Sequence, residues 1–192
     1  MIIYRNFDKI QGKYTACIGF FDGVHRGHQF LLEHLKEEAR RAGTLSAVVT
    51  FEDHPRRVVQ PDCDLLLIDT LDERMHKLEL MGVDACFLIA FDERVRQLTA
   101  QQFICDVMSR QMHITRLLIG FNHRFGRNRA EGFADYVLYG RQCGMTVVQE
   151  PVYDDGTGLI YSSSEVRRAL QEGNILKAQQ LLGWDGERRM GG

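Results

Sequence analysis

Residues able to do chemistry are concentrated in the segment IGFFDGVHRGHQ, residues 18–29. His25 and His28 stand three apart, so on the first turn of a helix their rings can point the same way and donate to one anion. Gly19, Gly23 and Gly27 crowd the same turn, with Phe20, Phe21 and Asp22 between them. Glycine admits positive φ and lets a ligand come close to the backbone. The helix that starts here offers unpaired N–H groups and the positive end of its dipole, which together suit a phosphate. Imidazole donors held there can position a reacting phosphorus and neutralise the charge spreading over its oxygens. A glycine-rich strand-to-helix turn whose histidines are internally satisfied also occurs without a ligand. Taken alone, the turn supports transfer at a phosphate and nothing narrower.

Three further clusters join it. In IGFNHRFGRNRAEG, Asn122 can both donate and accept, Arg124 can clasp a phosphate with its planar fork, and Phe125 offers a ring to a flat ligand. A β-turn with solvated Arg127 and Arg129 is the plainer alternative. In YSSSEVRRAL, residues 161–170, Ser162 and Glu165 have the spacing of a capping box. Ser163, Ser164 and Arg167 there would also grip a triphosphate through hydroxyls, backbone N–H groups and a guanidinium. His54, Pro55 and Arg57 follow a strand and read equally well as ligand cover or as a proline-bounded turn. His34, His76 and His113 receive no role. No His, Cys or Asp spacing forms a metal cage, so metal ligands stay unassigned.

Apolar, branched runs at 14–20, 45–51, 84–91, 114–121 and 145–151 read as five strands. Amphipathic segments fall between them. Leu31, Leu35 and Ala39 share one face of the first, with Gly43 as its stop, and Thr99 with Gln102 opens a later one as a capping box. Near-continuous apolar strands alternating with helices predict a doubly wound, Rossmann-like α/β domain: a parallel sheet of about five strands with helices on both faces. Ligands of such sheets sit beyond the carboxyl ends of the strands. The mixed pattern over residues 55–69 predicts a loop or flap.

The chain has 192 residues and a formal net charge of −2, which gives no basic excess of the kind that marks nucleic-acid or membrane-surface binders. No apolar stretch reaches the roughly 18 residues of a membrane span. Five cysteines, an odd number without a C-x-x-C pair, read as reduced thiols of a cytosolic protein.

GFFDGVHRGHQ, TFEDHP, LMGVDACFLIAF, LTAQQFICDVM, the 119–132 segment and YSSSEVRRAL, taken in that order, resemble the adenylyltransferase module of prokaryotic FAD synthetases, within the H-x-G-H nucleotidyltransferases. The resemblance implies adenylyl transfer from ATP to FMN, with Mg²⁺ on the triphosphate. It implies catalytic roles for His25, His28 and Asn122. Gly19, Phe20, Phe21, Asp22, Gly23, Gly27, Arg124, Ser163, Ser164 and Arg167 would hold ATP, and His54, Pro55, Arg57, Asn122 and Phe125 would hold FMN. His123 departs from the family pattern, where phenylalanine is commoner. The family continues past residue 183 into a riboflavin kinase barrel, whereas this chain reads WDGERRMGG. We therefore expect a nucleotidyltransferase domain over 1–183 and a polar tail over 184–192, with riboflavin kinase either a missing module or a separate protein. Transfer to another phosphate acceptor, phosphopantetheine-like or nicotinamide mononucleotide-like, and a non-catalytic nucleotide-binding module are the alternatives.

Overall fold

The structure, a computed structural model, describes residues 1–184 apart from Pro61, Asn122 and Asn128. Its strands are β1 (Ile2–Tyr4), β2 (Tyr14–Ile18), β3 (Leu45–Phe51), β4 (Ala85–Ile89), β5 (Ile114–Gly120) and β6 (Thr146–Glu150). They form one six-stranded sheet in the order β1-β4-β3-β2-β5-β6, and every neighbouring pair is parallel. The five expected strands are all present. The sixth, β1, is a three-residue edge strand paired only to β4, with Ile2 and Ile3 exposed, so it carries no apolar run to betray it.

Helices α1 (Arg26–Ala42), α2 (Pro55–Val59), α3 (Leu71–Leu80), α4 (Glu93–Gln97), α5 (Ala100–Gln102), α6 (Phe133–Gln142), α7 (Ser163–Gln171) and α8 (Ile175–Leu182) fill the connections. Alternation along each strand sends neighbouring side chains to opposite faces. Cys17, Val48, Cys86 and Leu118 point to the layer of α1 and α3, where Leu31, Leu32, Leu35, Met75 and Leu78 meet them. Ala16, Ile18, Val49, Phe87 and Leu117 point the other way, to Ile104, Met108 and Tyr136. Helices thus cover both faces.

Local signals explain the boundaries. Gly43, at φ 64°, returns its N–H to Ala39 and Arg40 and ends α1. Thr70 with Glu73 and Thr99 with Gln102 make reciprocal capping boxes. α5 runs on into a π-helical stretch, Phe103–Gln111, in which the Met112 N–H reaches back five residues to Val107. Residues 55–69 are not all loop. Pro55 at the first helical position and a His54 ring nitrogen that accepts from the Arg56 N–H nucleate the short α2. Trp184, the first residue of the expected tail, is buried against the α1 and α3 layer; residues 185–192 lie outside the described ones. No described helix is long and apolar enough to cross a membrane.

Candidate functional site at the sheet switch point

From β2 the chain winds outward through β3 and β4, then returns to build β5 and β6 on the other side. The switch point therefore lies between β2 and β5, where an open α/β sheet forms its ligand crevice. The histidine turn leaves β2, the 121–126 loop leaves β5, and His54 follows β3. The fold brings the sequence-chosen clusters to one edge.

The turn itself is a one-turn 3₁₀ segment, Asp22–Val24, entered through Phe21 at φ 61° and containing Gly23 at φ 79° and Val24 at φ 39°. Positive φ in phenylalanine and in a β-branched valine is uncommon and is tolerated only where surroundings enforce it. Gly19 prolongs β2 by donating to the Val49 carbonyl at 3.1 Å, and Gly27 sits in the first turn of α1. His25 is the N-cap of α1: its Nδ1 accepts from the His28 backbone N–H at 3.4 Å. The two imidazoles stack, with centroids 3.7 Å apart, and Phe21 backs His28 at 4.9 Å. Burial pushes His25 down to about 4, with Asp22 opposing and Arg167 reinforcing the shift. His28 lies well below its usual value through burial, then through His25 and His123.

Asp22 is engaged with protein partners. Its buried carboxylate accepts from the backbone N–H groups of Ile68 and Asp69 at 3.0 and 3.1 Å, and it pairs with Arg167 at 2.7 Å. The Asp22 carbonyl takes the Ser163 hydroxyl at 2.9 Å. One aspartate thus joins the histidine turn, the end of the 60–70 loop and α7. Ser162 caps α7 through the Glu165 N–H at 3.2 Å, but Glu165 turns to Arg168 and Lys177, so the box is half-made. Ser164 is exposed.

Arg74 escaped the sequence reading. It is the largest fully buried side chain, and its guanidinium donates to the carbonyls of Phe20 at 3.0 Å, Phe51 at 2.6 Å and Glu52 at 3.2 Å. It also lies over the Phe20 ring at 3.9 Å, and that ring meets His54 at 4.5 Å. The signal was spacing: Arg74 stands four before Leu78, on the buried stripe of α3. Burial brings His54 down to about 4, helped by Arg167.

The β5 loop is the second wall. Asn122 lies outside the described residues. Arg124 is exposed. Phe125 corrects the expectation of a free ring: it is buried, with one face stacked on Tyr136 at 4.3 Å and a T-shaped contact to Phe103 at 5.8 Å, so it packs as part of the core. His123 is pushed down to about 4 by burial and by Arg129. Pro55 opens α2, and Arg57 braces the flap by donating to the Leu65 carbonyl at 2.7 Å.

Among the described residues, four buried side-chain nitrogens have no partner: His28 Nδ1, Arg74 Nε, His123 Nε2 and Arg167 Nε. Unsatisfied buried polar groups are rare and call for a cause. Three of these come from three separate elements at the switch point, which fits an anionic ligand. The same residues offer no cage for a metal: no group of three or more His, Cys, Asp or Glu side chains could hold one, and the Asp22 carboxylate is engaged.

A profile of the family described as FAD synthetase matches residues 7–164. The chain is 36% identical over 169 residues to the bifunctional riboflavin kinase/FMN adenylyltransferase of Escherichia coli (strain K12), covering 88% of this chain and 54% of that one. It is 30% identical over 173 residues to the protein of the same description from Listeria monocytogenes, with coverages of 88% and 54%. It therefore spans about half the length of these curated relatives. A solved structure described as a macrolide-efflux protein of Streptococcus pneumoniae superposes with a TM-score of 0.82 at 29% identity, over 95% of this chain and 61% of the other.

Proposed function

Since the chain belongs to the FAD synthetase family, we propose that it transfers the adenylyl group of MgATP to the 5′-phosphate of FMN, giving FAD and pyrophosphate. An FMN phosphate oxygen bonds to the α-phosphorus while the bond to the bridging oxygen breaks, and that oxygen leaves with pyrophosphate. The attacker is already an anion, so no proton has to be removed. The task left to the protein is to align the groups and stabilise charge.

The observation that carries this reading is the convergence of His28 Nδ1, His123 Nε2 and Arg167 Nε, all without partners among the described residues, at the switch point. In this reading His25 and His28 stabilise the α-phosphate, Ser163, Ser164, Arg167 and Arg124 hold the triphosphate, and His54 contacts FMN, while the catalytic role of Asn122 rests on the family resemblance. Mg²⁺ enters with ATP, as part of the substrate. Riboflavin kinase, whose product is FMN, is the partner activity the reaction needs. Free thiols at Cys17, Cys63, Cys86, Cys105 and Cys143 suit a reducing compartment, which supports a cytosolic setting.

Incubation with MgATP and FMN, with chromatographic quantitation, should yield one pyrophosphate per FAD. His28→Ala should lower kcat about a hundredfold while changing the KM for ATP far less. Turnover only on a different phosphate acceptor, or an unchanged rate in the variant, would sink the assignment.

A further inference from the structure

The histidine turn is strained, and something must hold it. Positive φ in a residue other than glycine persists only where its surroundings enforce it, and Phe21 and Val24 both carry it. The Gly23 peptide is gripped from two sides. On one, its N–H donates to Asp69 Oδ2 at 3.1 Å, and the other Asp69 oxygen takes Lys77. On the other, the Trp184 indole N–H donates to the Gly23 and Val24 carbonyls, both at 3.1 Å. Two more ties come from the same quarter. Gln29 Nε2 links the Val24 carbonyl at 2.9 Å to the Leu182 carbonyl at 2.8 Å, and Arg26 Nε donates to the Gln180 carbonyl at 3.0 Å. α8 and Trp184, two residues past it, thus close over the turn. Trp184 is only 9% exposed, so its bonds are shielded from water.

We infer that Trp184 is a positioning residue: its indole N–H fixes the two carbonyls that set the direction in which His25 and His28 leave the sheet. This rests on the reading of those histidines as donors to the reacting phosphate. Small misplacements of such donors are costly in rate.

Trp184→Phe keeps the ring and removes the donor. Two readouts separate positioning from packing. The Val24 and Gln29 amides, bonded within the turn to the Phe21 and His25 carbonyls, should exchange hydrogen about tenfold faster, with the β2 and β5 amides unchanged. kcat for FAD formation should fall about tenfold, with both KM values within about twofold, and the substitution should cost nothing further in a His28→Ala background. Unchanged turn exchange overturns the inference. So does exchange that quickens across the whole sheet, or a loosened turn with wild-type kcat. A wild-type protein that makes no FAD counts against the proposed reaction instead, and the exchange measurement still decides this one.

Discussion

Two imidazoles stacked with centroids 3.7 Å apart, beside a guanidinium and away from water, cannot both carry charge cheaply. The neutral forms are the resting ones. Since His25 Nδ1 accepts a hydrogen bond from the His28 N–H, its proton resides on Nε2, which is then the ring's donor. The histidines thus stabilise charge through N–H dipoles, without titrating near neutrality. The sign of the pH dependence follows. An imidazolium of ordinary pKa would lose about twentyfold in population between pH 7 and 8.5, and kcat/KM would fall with it. With His25 at about 4, the histidines contribute no such fall. The FMN phosphate, with its second pKa at about 6, is fully charged over the same window. We expect kcat/KM for FMN to stay flat from pH 7 to 8.5; a decline following a group near 6.5 would show that a protonated histidine is needed.

Elements meet at Asp22. Its carboxylate ties down the 60–70 loop through Ile68 and Asp69 and orients Arg167 on α7, while its carbonyl receives Ser163. In one dimension every residue of a motif turn looks alike, and this aspartate reads as one more ligand contact. What the sequence could not reveal is that its partners lie 46 and 145 positions away. Asn in its place can still accept from the loop N–H groups but cannot pair with the guanidinium, whose side chain is 13% exposed. Asp22→Asn should therefore lose about 2 kcal/mol of unfolding free energy and raise the KM for ATP several-fold as Arg167 swings free. Denaturant unfolding and ATP titration check the two effects separately. A destabilised variant with unchanged ATP affinity would mean that Arg167 does not depend on this pairing.

For the whole molecule, what was legible is what period and caps encode: the strands β2 to β6, the α1 face, the Thr99 cap, and the gathering of the candidate clusters at the carboxyl edge. What was not legible depends on distant partners or on shape. β1 is too short and exposed to show a pattern, Arg74 reads as a surface charge until α3 turns it inward, and Trp184 reads as part of a polar tail. Phe125 belongs to the core because Tyr136, eleven residues on, stacks against it. The site that results has a global cost in acid. His25, His54 and His123 are held at about 4 and His28 lower still, chiefly by burial. Their unfolded counterparts titrate near 6.5. Between those values the unfolded chain binds protons that the folded one refuses, so stability is complete above about pH 6.5 and drains away as pH falls toward 4. A fully buried histidine contributes a slope of about 1.4 kcal/mol per pH unit in that window, and half-exposed His54 contributes less. Urea midpoints measured from pH 7.5 down to 4.5 should fall steeply, and more gently in His25→Gln. Equal slopes in the two proteins would show that His25 keeps an ordinary pKa in the folded state and that the site is wetter than its packing implies.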